Sequence, residues 1–371
     1  MTIRKILATL LALSMTLSLA ACGSNSTQTD TTAPSEQTEQ TEEAPTESDE
    51  SAAENTETET PADETEASEP AEKVDINLAA LSGPTALGML DLLEKNENGE
   101  AANNYNVTIA TAPDEVTGKI ISGELDIAAV PTNVASTLYN KTEGQVQIAA
   151  LNTMGVLYVL ETGDTIQSVA DLAGKTIYAT GQGSTPEYAL NLVLEKNGLT
   201  PGEDVEIVFA ADNAEIAPLL ASGEAQVALL PQPFVTSVLT QNENVRVALD
   251  LTEEWDKAVN GESGLTMGCV VVRKEFAEQN KEALDRFLDE YKQSVETVTS
   301  EEGLAHAAEL AEHYNIIKAA VAEKAIPECN IVFVEGDEMQ QIAGGFLQVL
   351  YDANPQAVGG QLPNDDFYYK R

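Results

Sequence analysis

EVTGKIISGELDIAAVPTNVASTLY, from Glu115 to Tyr139, and EIAPLLASGEAQVALLPQPFVTSVLT, from Glu215 to Thr240, render one pattern twice, 100 positions apart. Ser122-Gly123-Glu124 aligns with Ser222-Gly223-Glu224, Ala128 with Ala228 and Pro131 with Pro231. The apolar positions agree as well: Val116 with Ile216, Ile120 with Leu220, Ile127 with Val227 and Val130 with Leu230. In each copy an apolar helix face stops at a Gly, a buried strand follows, and a Pro opens another helix. This is an αβ unit whose loop at the carboxyl end of the strand faces a ligand. Each copy needs its own sheet to bury its apolar face, so the duplication predicts two related α/β lobes.

The repeat extends upstream in weaker form. VDINLAALSGPTALGML, from Val74, and GKTIYATGQGSTPEYAL, from Gly174, each read as a strand, a Gly-containing turn and a helix start with Thr and Pro. Pro and Ser/Thr at a helix start fix the chain's entry and satisfy free N–H groups. Both lobes are therefore expected to aim a helix N-terminus into the space between them.

The first 22 residues read as an address. Arg4 and Lys5 precede an apolar run from Ile6 to Leu19, which ends in Ala20-Ala21-Cys22. The run is too short for a membrane span and has the form of a cleaved signal. Leu19-Ala20-Ala21-Cys22-Gly23 resembles a bacterial lipobox, which implies lipidation of Cys22 and a lipid anchor on the outer face of the cell membrane. Residues 23–72 are rich in Thr, Glu, Ser, Ala and Pro, with no aromatic, Leu, Ile, Val or basic residue. Such a segment cannot bury enough apolar surface to offset its ordering entropy, so it is expected to be a disordered acidic tether.

The chain has 62 acidic and 19 basic residues, and a formal net charge of −43. The tether holds 16 of the acidic residues and none of the basic ones, so the body too is strongly acidic. That excludes a nucleic-acid binder, because a phosphate backbone requires a basic face.

The body, from Lys73 on, suits two domains of ordinary size. Two apolar runs, Gln147 to Leu160 and Gly264 to Arg273, are long enough to leave one sheet and enter the other. As two crossing strands they leave lobe one discontinuous, 73–153 with 266–371, and make lobe two, 154–265, an insert. Everything after the second crossing is helical in pattern.

With a lipobox, an acidic tether, two α/β lobes and a helical C-terminal end, the chain resembles extracytoplasmic substrate-binding lipoproteins of ABC importers. The phrases VADLAGKTIYATGQGSTPEYAL, ASGEAQVALLPQPF and GCVVVRKEFAEQN carry the likeness. It is most similar to the group of nitrate, sulfonate, taurine and thiamine-pyrimidine binders. The resemblance implies a two-lobed periplasmic-binding-protein fold of type II-like form, closing on a small solute and docking on a permease served by an ATPase. By loop position it assigns Ser82, Gly83, Pro84, Thr85, Thr132 and Asn133 to the lobe-one side of the pocket, and Asn152, Thr153 and Met154 to the first crossing. On the lobe-two side it assigns Gln182, Gly183, Ser184 and Thr185, then Gln232, Pro233 and Phe234.

The hydroxyls and N–H groups of these loops would suit the head group of a sulfonate-, nitrate- or taurine-like anion, while Gln232 and Asn152 would suit a pyrimidine edge. No loop carries Arg, Lys or His, which disfavours a polyanion. Tyr188, Phe234 and Trp255 offer aromatic faces either to a ligand or to the core. His306 and His313, with Glu309 between them, share a helix face, but two histidines do not make a zinc site. Cys269 and Cys329 either pair outside the membrane or stay as buried thiols. No nucleophile elbow, phosphate loop or metal-ligand cluster appears, so no cofactor, metal or catalysis is expected. The rival readings are an enzyme on the same fold, like the thiamine-pyrimidine synthases that use an active-site histidine, and a lipoprotein sensor or adhesin without an importer.

Overall fold

A computed structural model describes residues 72–371 apart from Ala112. The expected signal, the expected lipidation site at Cys22 and the expected tether up to Ala71 lie outside the described residues. β1 (Asp75–Leu81) turns into the short α1 (Pro84–Leu87) and α2 (Leu90–Glu97), followed by β2 (Asn104–Ala110) and α3 (Pro113–Ser122). Next come β3 (Ile127–Pro131), α4 (Thr132–Lys141) and β4 (Val146–Met154). The middle of the chain supplies β5 (Leu157–Thr162), β6 (Thr176–Ala179), α5 (Thr185–Lys196), β7 (Glu206–Phe209) and α6 (Asn213–Ser222). It continues through β8 (Val227–Pro231), α7 (Phe234–Gln241), β9 (Val245–Asp250) and α8 (Leu251–Ala258). β10 (Thr266–Arg273) leads to α9 (Lys274–Gln279), α10 (Lys281–Thr299), α11 (Leu304–His313), α12 (Ala319–Ala325), β11 (Ile331–Val334) and α13 (Gly336–Ala353).

The strands form two sheets, one in the order β11-β4-β10-β3-β1-β2 and the other in the order β7-β6-β8-β5-β9. The duplication is visible in the pairing. β1 lies parallel between β2 and β3, and β6 lies parallel between β7 and β8. Leu78 and Ala79 pair with Ile127 and Ala128 in one sheet; Ile177 and Tyr178 pair with Val227 and Ala228 in the other. Each repeated strand then takes an antiparallel neighbour, β10 beside β3 and β5 beside β8. The Gly stops of the repeat serve the same purpose in both lobes. Gly123 and Gly223 both have φ of 81°, the left-handed conformation that ends a helix without a Cβ clash.

Both faces of the first sheet are covered, which accounts for its continuous apolar strands. On one face Leu284, Phe287, Leu288 and Tyr291 of α10, spaced for one helix side, pack with Leu78, Ala80, Val270 and Val272. The opposite face joins a core continuous with the second sheet, in which Val130, Leu138 and Phe346 belong to the same cluster as Val159, Leu190 and Trp255. A third, smaller cluster covers the outer face of the second sheet with residues of α6 and α7.

The first crossing falls within the run read for it, though as two strands and not one, while most of the second run lies past its crossing. The run from Gln147 is not one strand, since β4 ends at Met154 and β5 begins at Leu157 in the other sheet. Gly155 lies at the break, where a Cβ would sit 2.1 Å from Thr252 Oγ1. Asn330 holds the break by accepting from Met154 N–H at 3.1 Å and donating through Nδ2 to Gly155 O at 3.1 Å. The return is made before Thr266, so all of the second apolar run except Gly264 and Leu265 lies in the first sheet. The C-terminal part also contributes an edge strand, β11, antiparallel to β4. Four apolar residues have no period that separates strand from helix, which is why this strand went unread.

Candidate functional site

The strand-to-helix loops of both sheets converge on a cavity of about 440 Å³, a volume suited to a small molecule. The first sheet contributes Ser82 after β1, Thr111 and Asp114 after β2, Pro131 and Val134 after β3, and Met267 of β10. The second contributes Thr180 to Ser184 and Pro186 after β6, and Ala210 to Asn213 after β7. A hollow of about 480 Å³ near Asn106 and Lys119 is lined from the first sheet alone and has no partner loops.

Local geometry explains the second-sheet loop. Gly181 and Gly183 both take positive φ, 77° and 74°. A Cβ on Gly181 would come within 2.8 Å of Ser184 Oγ and 2.9 Å of Pro186 Cγ. The tight turn brings Ser184 to the head of α5, where its hydroxyl donates to Gly181 O at 2.8 Å. Glu187 Oε2 accepts from Gly183 N–H at 2.5 Å. Thr180 Oγ1 donates to Asn213 Oδ1 at 2.8 Å and ties this loop to the one after β7.

Of the residues assigned by sequence, Ser82, Gln182, Gly183 and Ser184 line the cavity. The others do not. Thr85 is turned inward, donating to Leu81 O at 2.6 Å. Gly83 and Pro84 only shape the turn. Thr132 accepts from Thr266 Oγ1 at 2.5 Å, and both are fully buried. Asn133 and Thr185 meet each other: Thr185 Oγ1 donates to Asn133 Oδ1 at 3.1 Å, while Asn133 Nδ2 donates to Ala357 O at 3.1 Å. Asn152 is buried, its Oδ1 accepting from Thr153 Oγ1 at 3.2 Å and its Nδ2 without a partner. Met154 packs beside Gly264. Gln232 caps α7, accepting from Thr236 N–H at 3.2 Å and from its hydroxyl at 2.9 Å. Phe234 packs against the outer core of the second sheet.

Thr111, Asp114 and the stretch from Ala210 to Asn213 were not singled out by sequence reading. They occupy equivalent loops, each immediately ahead of one repeat copy, so the duplication itself held the signal. Trp255 belongs to the core, fully buried, with Nε1 donating to Ser263 O at 2.9 Å and its ring 5.6 Å from that of Phe346. Tyr188 packs against the core shared by both sheets. His306 and His313 pair with Glu94 and Glu97 of α2, at 2.8 and 3.1 Å. Among the described residues no group of three His, Cys, Asp or Glu side chains is placed to hold a metal ion. Cys269 and Cys329 are separate buried thiols. Burial pushes the Cys269 thiol far up, and burial with the nearby Glu328 charge pushes Cys329 up to about 12, so both stay protonated.

A family model for the periplasmic substrate-binding protein of phosphonate ABC transporters matches residues 91–323. The chain belongs to this family. No curated protein matches it in sequence. An ABC transporter structure from Parabacteroides distasonis is similar over 80% of this chain and 99% of its own, with a TM-score of 0.66 and 25% identity. The periplasmic aliphatic sulphonate binding protein SsuA from Escherichia coli is similar over 80% and 92%, with a TM-score of 0.63 and 14% identity. The alkanesulfonate-binding protein SsuA from Xanthomonas axonopodis pv. citri, bound to MOPS, is similar over 79% and 96%, with a TM-score of 0.60 and 17% identity. The two sheets are therefore the lobes of a periplasmic-binding-protein fold. Family membership makes the chain an extracytoplasmic substrate-binding component of an ABC transporter. Among the described residues no helix is long and apolar enough to cross a membrane.

Proposed function

We propose that the chain captures one small polar solute in the cavity between its lobes and delivers it to a membrane permease driven by an ATPase. The observation that carries this reading is the cavity of about 440 Å³ lined by strand-end loops of both sheets, including equivalent loops of the duplication. A solute held there is gripped from two sides, so binding draws the lobes together. The volume and the neutral polar groups of Ser82 and Gln182 suit a solute of the size of taurine, an alkanesulfonate or a thiamine-type pyrimidine. In this reading the lobes are residues 73–153 with 266–371, and 154–265. Cys22, after removal of the signal, carries the lipid that holds the chain to the outer face of the membrane.

Capture without catalysis is supported by the histidines. A synthase-like enzyme would need one at the cavity, and both sit on α11, paired with Glu94 and Glu97. A thermal-shift panel of sulfonates, nitrate, amino acids, amines, pyrimidines and vitamins tests the proposal. A solute at one hundred times its dissociation constant stabilises by about 2.7 kcal/mol. Turnover of any stabilising compound would contradict capture and favour the enzyme; stabilisation without change of the compound is the expected result.

A further inference from the structure

Among the described residues, the cavity wall carries two carboxylates and no cationic side chain. Asp114 comes from the loop after β2 in one lobe and Asp212 from the loop after β7 in the other, and among the described residues no Lys, Arg or His lines the wall. A helix N-terminus ordinarily favours an anion. Here three of the helix starts that border the cavity, those of α3, α5 and α6, are already met by the chain's own acids, while α4, which begins at Thr132, has no acid in its first turn. Glu187 occupies the start of α5 through Gly183 N–H. At the start of α6, Asp212 Oδ1 accepts from Glu215 N–H at 3.0 Å and Glu215 Oε2 accepts from Ala211 N–H at 3.1 Å. Asp114 and Glu115 fill the first turn of α3, and Thr111 Oγ1 donates to Glu115 Oε1 at 2.9 Å. An entering bare anion would find these three dipoles compensated and two carboxylates in the wall, leaving only the start of α4 to favour it. Among the described residues the lining holds no aromatic side chain, and so offers neither a cation–π cage for a quaternary ammonium nor a stacking face for a planar ring.

We infer that the solute presents a primary ammonium group to Asp114 and Asp212 and carries no net negative charge. The inference rests on the cavity being the solute site. As the lobes approach, carboxylates from opposite sides repel one another. An ammonium between them, with three donors, replaces that repulsion by two charge-assisted hydrogen bonds. Closure is thereby tied to the charge of the solute.

Three four-carbon probes of different charge test this: 1,4-diaminobutane, 4-aminobutanoate and 1-butanesulfonate, titrated calorimetrically into the full chain at low and high salt. Saturable binding of at least one amine is expected, with butanesulfonate at least tenfold weaker and amine affinity falling as salt rises. The double variant Asp114→Asn/Asp212→Asn should lose at least tenfold in amine affinity with unliganded melting unchanged, since Asn keeps the cap at position 212. Butanesulfonate binding as tightly as either amine, no saturable amine binding, or indifference to the double substitution would each overturn the inference. Gln182→Trp, which crowds the cavity, separates the two levels. If butanesulfonate binds and this variant abolishes its binding, the cavity stands as the solute site and only the ammonium is lost. Probe binding that ignores the variant removes the cavity as the site, and the inference with it.

Discussion

Thr185→Val removes one hydroxyl from the seam between the lobes and keeps the side chain's shape. Thr185 and Asn133 are buried at 0% and 1% exposure, and their 3.1 Å hydrogen bond joins α5, over the second sheet, to α4, over the first. Asn133 Nδ2 remains bonded to Ala357 O in the variant, so the damage is confined to Asn133 Oδ1, which is left without its donor. An unmet buried acceptor costs about 1–3 kcal/mol. For a body of this size each kcal/mol corresponds to about 2–4 °C of melting temperature, so the variant should melt a few degrees lower. Calorimetric melting of wild type, Thr185→Val, Asn133→Ala and the double variant closes the cycle. A coupling of about 0.5–3 kcal/mol is the range for directly bonded partners. Additive losses in the double variant would show that the two side chains act independently, and the seam would then have to be held by apolar packing alone.

Trp255→Ala empties the packing against Phe346 and frees Ser263 O, and should cost about 3–5 kcal/mol in chemical denaturation; a loss below about 1 kcal/mol would mean that the lobes are not bound through this core. Burial raises the Glu161 carboxyl, but hydrogen bonds from Thr165 and Ile166 and the Arg246 charge outweigh it and hold the group below its ordinary value. Its contribution is complete above the unfolded value and lost as pH falls through the folded one, so Glu161→Gln should flatten the acid limb of a stability-against-pH curve. The Glu94 hydrogen bond, with the charges of Glu94, Glu309 and Asp91, holds the His306 imidazole above its ordinary value against burial. That contribution is present below the unfolded value and lost as pH rises through the folded one. His306→Gln should therefore destabilise at pH 5.5, by up to about 1 kcal/mol for this exposed pair, and leave pH 8.5 melting unchanged.

The duplication made most of this fold readable. Two phrases 100 residues apart predicted two sheets because each copy carries a strand too apolar to be left uncovered. The pairing of Ile127 and Ala128 with β1, and of Val227 and Ala228 with β6, follows the alignment residue for residue. The first crossing was placed in the right run, but the break inside it and the position of the return were not legible, because an apolar run reports burial and not the residue at which a chain changes sheet. At Gly155 that choice depends on contact with Thr252, nearly a hundred residues away.

The site was legible at the level of loops and not of side chains. Ser82, Gln182 and Ser184 reach the cavity, while Thr85, Thr132, Asn133 and Thr185, of the same chemical type, are taken by partners within the fold. A short polar side chain at a strand end reads the same whether it serves a ligand or a neighbour. Only the partner decides, and apart from Leu81 beside Thr85 the partners are distant in the chain: Thr266 for Thr132, Asn133 for Thr185 and Ala357 for Asn133.

Titration calorimetry on Ser82→Trp and Gln182→Trp tests the central claim most directly, using the solute that most stabilises the wild-type chain. The two positions are exposed, line the cavity and come from opposite lobes, so each indole crowds the cleft without entering a core. Capture between the lobes predicts that both variants melt like wild type when unliganded and that each loses at least tenfold in affinity, about 1.4 kcal/mol. Wild-type affinity in either variant would contradict a solute held from both sides.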